Sequence, residues 1–191
     1  LLGEVDMSLK LLRPDWPAPA TVHALATTRS GGFSTGPYAS LNLGDHVGDA
    51  ADAVAANRRL LRPHLPAEPL WLRQVHGVAV AEAGALAGGD SPEADGIVAR
   101  RAGVVCVILT ADCLPVLFCD VAGRVVGAAH AGWRGLLAGV LERTVEAMAV
   151  PPEYVLAWLG PAIGPTAFEV GAEVRDAFAA VLLASVFDDL G

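Results

Sequence analysis

The segment from Ile97 to Ala131 limits the folds open to this chain more than any other. Within it, Val104–Thr110, Val116–Cys119 and Arg124–Ala129 are three β-rich, almost unbroken apolar runs, the pattern of strands covered on both faces. The last two are joined by Asp120-Val-Ala-Gly123, which reads as a hairpin loop with glycine at its end. The period then changes. From Gly135 to Ala149, Leu137, Val140, Leu141, Val145 and Met148 share a stripe that Arg143 and Glu146 avoid; this predicts an amphipathic helix stopped by Pro151-Pro152. Upstream, Val22–Thr28, Leu70–Val75 and Val78–Ala83 read as strands. Asp49 opens a helical pattern through Val54, Leu60 and Leu61 that Pro63 ends. Downstream, Tyr154–Leu159 reads as a strand and Val174–Leu183 as a helix. Clustered strands with helices packed around them, without strict alternation, predict a mixed α/β (α+β) fold.

A chain of 191 residues is best read as one domain, and at this size roughly 70% of the unfolded surface is buried without help from disulfides or metal. Hydrophobic residues at 53% and charged residues at 18% exclude a disordered chain. No apolar run approaches the roughly 18 residues of a membrane span; Val104–Leu109 ends at Thr110. With 13 basic and 21 acidic side chains the net charge is −8, which weighs against nucleic acid as a partner. An odd cysteine count, Cys106, Cys113 and Cys119 in apolar surroundings, does not make a disulfide framework and fits a reducing compartment. Glu4 and Asp6 stand where a signal peptide would be basic, so the expected location is the cytoplasm. Residues 1–11 read as an N-terminal extension, with Met7 a candidate natural start, and residues 12–191 as the domain.

His76, Cys113 and His130 each fall at a predicted strand end or in the adjoining turn, beside small or turn-forming residues, where a scaffold commonly presents functional groups. Two imidazoles and one thiolate suit Zn²⁺, and three protein ligands leave a fourth position for water, whose pKa can then fall to about 7. Two satisfied turn histidines and a buried thiol fit the same residues. Asp112 beside Cys113 either orients an imidazole, serves as acid or base, or caps the turn before Pro115. The glycine-rich loop Arg29-Ser-Gly-Gly-Phe-Ser-Thr-Gly36 is either a connection or an anion cradle to which Arg29 adds a bidentate contact; no Gly-Lys-Ser/Thr follows it. Asn42 between leucines either faces a cavity that His46 shares or bonds to its own backbone. Arg134 opens a helix, where a guanidinium and the helix dipole reinforce one another on a phosphate, or is simply solvated. His23 and His64 read as structural, and Cys106 and Cys119 as core.

Taken together, Gln74-Val-His-Gly77, Thr110-Ala-Asp-Cys-Leu-Pro115 and His130-Ala-Gly-Trp-Arg-Gly135 resemble the three signatures of the multicopper-polyphenol-oxidase-like, or laccase-domain, family, whose members are described as purine nucleoside phosphorylases. Thr27-Thr-Arg-Ser-Gly-Gly32, Ser40-Leu-Asn-Leu-Gly44 and Leu159-Gly-Pro-Ala-Ile-Gly164 are similar to its other blocks, so the resemblance runs from about Leu12 to about Phe178. It implies a layered α/β/β/α sandwich with mixed sheets, akin to the catalytic domain of cytotoxic necrotizing toxins. It implies one zinc on His76, Cys113 and His130; beside it, the residues themselves offer Asp112 as the acid or base and Arg29, Asn42, His46 and Arg134 toward substrate. The implied activity is phosphorolysis of adenosine, inosine and methylthioadenosine, with adenosine deamination. An older description of the family is copper-dependent polyphenol oxidation. Copper binds such a site more tightly than zinc, so affinity does not choose the metal. Multicopper chemistry, however, wants more than five scattered histidines, and the usual zinc-deaminase signature is absent. A metal-free rival uses Cys113 as nucleophile and His130 as base. Family members continue through another strand–helix–strand segment, whereas this chain ends at Asp188-Asp-Leu-Gly191 after an apolar stretch. That ending implies exposed apolar surface and a possible homodimer.

Overall fold

The hairpin read at Asp120–Gly123 organises the central sheet. A computed structural model describes residues 8–84 and 91–188, with side chains as far as residue 181. Met7, the acidic residues before it, and the side chains of the apolar ending beyond Val181 lie outside the described residues. In chain order the elements are β1 (Leu11–Leu12), β2 (Ala26–Thr27), α1 (Ala51–Leu61), β3 (Val80–Glu82), β4 (Gly96–Ala99), β5 (Leu114–Asp120), β6 (Val126–Ala131), α2 (Trp133–Leu137), α3 (Val140–Met148), β7 (Val155–Leu159) and α4 (Ala172–Asp188). β5 and β6 pair antiparallel from Leu114↔Ala131 to Cys119↔Val126. β4 joins β6 and β7 joins β5, both antiparallel, and β3 lies parallel to β4. The order across the five-stranded sheet is β3-β4-β6-β5-β7; β1 and β2 form a separate pair.

Alternation along the strands builds the layers. Val116, Phe118, Ala129 and Ala131 point to one face and pack on Val140 and Met148 of α3. Ile97, Ala99, Leu117, Val126 and Ala128 point to the other, against Leu70, Leu72, Val104, Cys106 and Ile108. The intervening Trp71, and Leu109, turn away toward Leu41, Leu43 and the α1 residues Leu60 and Leu61. The Arg58 guanidinium also lies 4.0 Å over the Trp71 ring. The sequence of layers is therefore α3, sheet, extended chain, α1, a mixed α/β fold as the sequence predicts. Among the described residues no helix is long and apolar enough to cross a membrane.

Several expected strands are shorter or looser. Leu70–Val75 and Val104–Thr110 place alternate side chains on opposite sides as strands do, yet among the described residues they make only the isolated bridges Leu70↔Cys106 and Arg73↔Glu93. The Gln74 side chain replaces part of a ladder: its Nε2 donates to Leu109 O at 2.8 Å and its Oε1 accepts from Leu109 N at 2.8 Å. The strand at Val22–Thr28 contracts to Ala26–Thr27, because only Leu11–Leu12 pairs with it. β4, buried throughout, was not among the expected strands; four residues beginning with glycine carry too little pattern. The helix expected over Gly135–Ala149 is two, because Gly139 at φ 93° breaks the ladder between α2 and α3.

Asp120 closes the β5–β6 turn. It is fully buried and accepts from Arg124 N at 2.5 Å, Val125 N at 2.9 Å and Arg124 Nε at 3.1 Å. Burial alone pushes its carboxyl up, but these donors outweigh burial and hold it below the ordinary value. Such a group stabilises the fold above its unfolded value, about pH 4, and loses that contribution as pH falls through the lower folded value. Asp120→Ala is expected to cost roughly 2–4 kcal/mol in urea unfolding, since buried backbone donors lose their acceptor. The gap between wild type and variant should narrow as pH drops below about 4; a gap that stays constant into strong acid contradicts this account.

Candidate metal centre

Three side chains distant in sequence meet at one end of the sheet. Ligand atoms of His76, Cys113 and His130 all lie within 4.8 Å of one another. Cys113 Sγ is 3.8 Å from His76 Nε2. The two imidazoles approach edge to face, centroids 4.7 Å apart at 72°.

Strand parity explains the convergence. In β6, His130 shares the parity of Val126 and Ala128, which face the extended layer. Cys113, just before β5, shares the parity of Leu117, and Asp95, just before β4, shares that of Ile97 and Ala99. Register does the rest: Pro115 pairs with His130 and Gly96 with Ala129. His76 arrives from the extended layer on a turn whose φ of 62° is left-handed, which is uncommon outside glycine.

Asp95 holds this arrangement together. Its fully buried carboxylate lies 2.8 Å from His130 Nδ1 and accepts the backbone N–H groups of Val75 at 3.1 Å, His76 at 2.9 Å and Gly77 at 2.7 Å. Burial opposes its charge, but the His130 bond and the three N–H donors prevail and keep its carboxyl below the ordinary value. For His130, burial pushes the imidazole down and the neighbouring His76 adds to it, against the pull of Asp95. The state this favours is an ionised Asp95 accepting from a neutral His130 through Nδ1–H, which leaves the His130 Nε2 lone pair facing the other two ligands. Cys113 is half-buried, and burial together with the charges of Asp112 and Asp95 pushes its thiol up. Gly132 fits against both neighbours as no larger residue does. A Cβ there would stand 2.6 Å from His76 Cδ2 and 3.0 Å from Cys113 Sγ.

The donor set fits a metal. Tetrahedral zinc with one sulfur and two nitrogens puts S and N about 3.5 Å apart, and the 3.8 Å between Sγ and Nε2 is close to that edge. A ligating histidine whose second nitrogen is bound by a carboxylate is the usual surrounding of such sites. The negative surroundings of the thiol favour a cation.

The other candidates sit as follows. Asp112 is exposed next to Cys113, and its backbone carbonyl accepts Ile163 N at 2.9 Å. Arg29 lines an open pocket of about 460 Å³ with Lys10, Ser30 and Gly31, a pocket whose lining includes none of the triad. Its Nε and Nη2 donate to Ala39 O at 2.7 and 2.5 Å. Asn42 is engaged inside its own loop, donating to Asp49 at 2.9 Å and Gly44 O at 3.1 Å while accepting Gly44 N at 3.0 Å. His46 is exposed, 3.7 Å from Asp45. Arg134 is exposed, its guanidinium 4.3 Å over the Trp133 ring. Cys119 is fully buried, and Cys106 packs in the sheet's outer core with its thiol pushed up to about 12 by burial. Sequence reasoning missed Asp95 and Gln74. Only register brings Asp95 to His130. The one local signal is an acidic residue one glycine ahead of the apolar run Ile97-Val-Ala99.

The family described as multi-copper polyphenol oxidoreductase laccase matches residues 23–189. A protein of Pseudomonas aeruginosa named purine nucleoside phosphorylase PA4543 is 60% identical over 173 residues, covering 88% of this chain and 69% of the relative. Purine nucleoside phosphorylase YfiH of Escherichia coli is 57% identical over 176 residues, covering 90% and 71%. Among solved structures, Neisseria meningitidis protein NMB0706 superposes with a TM-score of 0.85 at 51% identity, over 93% of this chain and 73% of that one. YlmD of Geobacillus stearothermophilus gives 0.77 at 33% identity, over 86% and 68%. The chain belongs to the multi-copper polyphenol oxidoreductase laccase family.

Proposed function

We propose that the protein is a purine nucleoside phosphorylase that works with one divalent metal, zinc, on His76, Cys113 and His130. The observation that carries the proposal is the meeting of these three donors within 4.8 Å around an Asp95-held imidazole. Relatives at 48–60% identity named purine nucleoside phosphorylase support it. In the reaction, a phosphate oxygen bonds to C1′ of the nucleoside as the glycosidic C–N bond breaks. The electron pair leaves on the purine, which takes up a proton, and the products are free base and sugar 1-phosphate. A bound metal supplies Lewis-acid stabilisation of developing negative charge.

The chain's own residues have distinct tasks. His76, Cys113 and His130 hold the ion, and Asp95 is fully committed to orienting the two histidines. Asp112, the exposed carboxylate beside Cys113, is the proton carrier for the departing base. Arg29 with its glycine loop, and Arg134, stiffened over Trp133, are the cations offered to phosphate. Asn42 keeps its loop in shape, and His46 stands exposed beside it. Adenosine deamination, as a second activity, draws on the same carboxyl. Three free cysteines fit a reducing, cytoplasmic setting.

Two rivals use the same residues. Polyphenol oxidation by several coppers needs several centres, and this triad is the one three-donor cluster among the described residues. A metal-free Cys113–His130 hydrolase draws on the Asp95–His130 bond, but it leaves the second imidazole without a task and the thiol held up by its acidic neighbours.

With inosine as substrate, hypoxanthine should appear mole for mole with phosphate consumed; base release indifferent to phosphate contradicts phosphorolysis. Cys113→Ala should lose its zinc by elemental analysis and at least about 100-fold in kcat/KM. Wild-type turnover that survives removal of metal by a chelator would favour the metal-free Cys113–His130 chemistry. Gly132→Ala should lower zinc occupancy at unchanged phosphate dependence, because the new methyl displaces His76 or Cys113. Full occupancy there would contradict the tight packing described above.

A further inference from the structure

The acceptor sites of Asp95 are fully used, and they join His130 on the sheet to the 75–77 turn that carries His76. Oδ1 serves His130 Nδ1 and His76 N, while Oδ2 serves Val75 N and Gly77 N. The backbone of the same residue adds a second hold on His130, whose N–H donates to Asp95 O at 2.7 Å. His130 is thus fixed at its main chain and at its ring by one residue. The three N–H groups on the other side wrap the turn that carries His76 in its left-handed conformation. Asp95 N in turn donates to Ala79 O at 3.0 Å, tying the carboxylate's own backbone to the chain just beyond that turn.

We infer that Asp95 is the positioning residue of the centre: one carboxylate aligns His76 and His130 with each other, so the protein shapes the ligand set before metal enters. The inference rests on the reading that the triad holds a divalent metal. It requires a carboxylate and not merely a polar side chain. An asparagine keeps one acceptor oxygen and turns the other position into a donor. In one orientation its NH₂ faces Val75 N–H and Gly77 N–H; in the other it faces His130 Nδ1–H and His76 N–H. In the first, the turn that carries His76 loses two of its three holds; in the second, His130 Nδ1–H and His76 N–H lose their acceptor together, so in either case the two histidines are no longer aligned by one group.

The test compares wild type, Asp95→Asn and Asp95→Glu, each purified as the full chain with zinc. The first readout is the rate of zinc release to a chromophoric chelator; the second is the absorption spectrum after cobalt replaces zinc. Asp95→Asn should bind zinc about 10–100-fold more weakly and should show altered intensity in the cobalt d–d and sulfur charge-transfer bands. A side chain that only supports the fold does not move that signature in protein that is still folded. Asp95→Glu, which keeps the acceptors, should recover part of the affinity. Zinc release and cobalt spectra identical to wild type in Asp95→Asn overturn the inference while leaving the metal reading intact; a wild type that takes up no metal overturns both. Should Asp95→Asn fail to fold, cobalt-loaded wild type decides by proton NMR. One ligand-histidine N–H, that of His130 beneath Asp95, should resist exchange with solvent, while that of exposed His76 exchanges fast. Rapid exchange of both overturns the inference.

Discussion

The structure depends on a carboxylate buried between two layers. Side chains on paired strands alternate between faces, so Asp95, Cys113 and His130 reach the same side of the sheet only because each has the parity of its strand's outward core residues. Ile97, Leu117 and Ala128 fill that face with apolar contacts, and beyond their end the same face carries polar groups. His76 belongs to the opposing layer. What spans the gap is Asp95, bonded to His130 on the sheet and to the 75–77 turn above it. A charged group with no exposed surface is tolerable there because each oxygen accepts two donors.

That charge shapes the chemistry around it. Asp95 and Asp112 make the neighbourhood of Cys113 negative, and burial adds to the cost of a thiolate. Left alone, such a sulfur stays protonated at neutral pH; a divalent cation between it and two neutral imidazoles reverses the balance. His130 is prepared for this, because burial keeps it neutral and Asp95 takes its Nδ1 proton as a hydrogen bond. Gly132 completes the fit by leaving room for His76 and Cys113 to approach. The packing on α3, on the far face of the sheet, gives the strands a rigid backing.

Much of this was legible in the sequence, and the remainder was not for reasons particular residues make plain. The β5–β6 hairpin announced itself through apolar runs and a glycine-ended loop, and the three donors that meet at its end were singled out by their small neighbours and by the blocks that resemble the family. The apolar content of Leu70–Val75 and Val104–Thr110 marked extended chain, though the strands expected there reduce to isolated bridges. It could not show that Gln74 would stand in for a ladder, since that depends on Leu109 arriving opposite it. Asp112 drew attention because it adjoins Cys113 in sequence. Asp95 went unnoticed, because its place beside His130 follows from β4–β6 register, and four residues of β4 gave too faint a pattern to establish even the strand. Helical periodicity ran across Gly139 unbroken, although the backbone there does not.

X-ray absorption at the metal edge of the purified protein tests the central claim most directly. The account predicts one sulfur at about 2.3 Å and two imidazole nitrogens at about 2.0–2.1 Å in a four-coordinate shell, as for zinc with one open position. A first shell with no sulfur, or one built from oxygens alone, would contradict it.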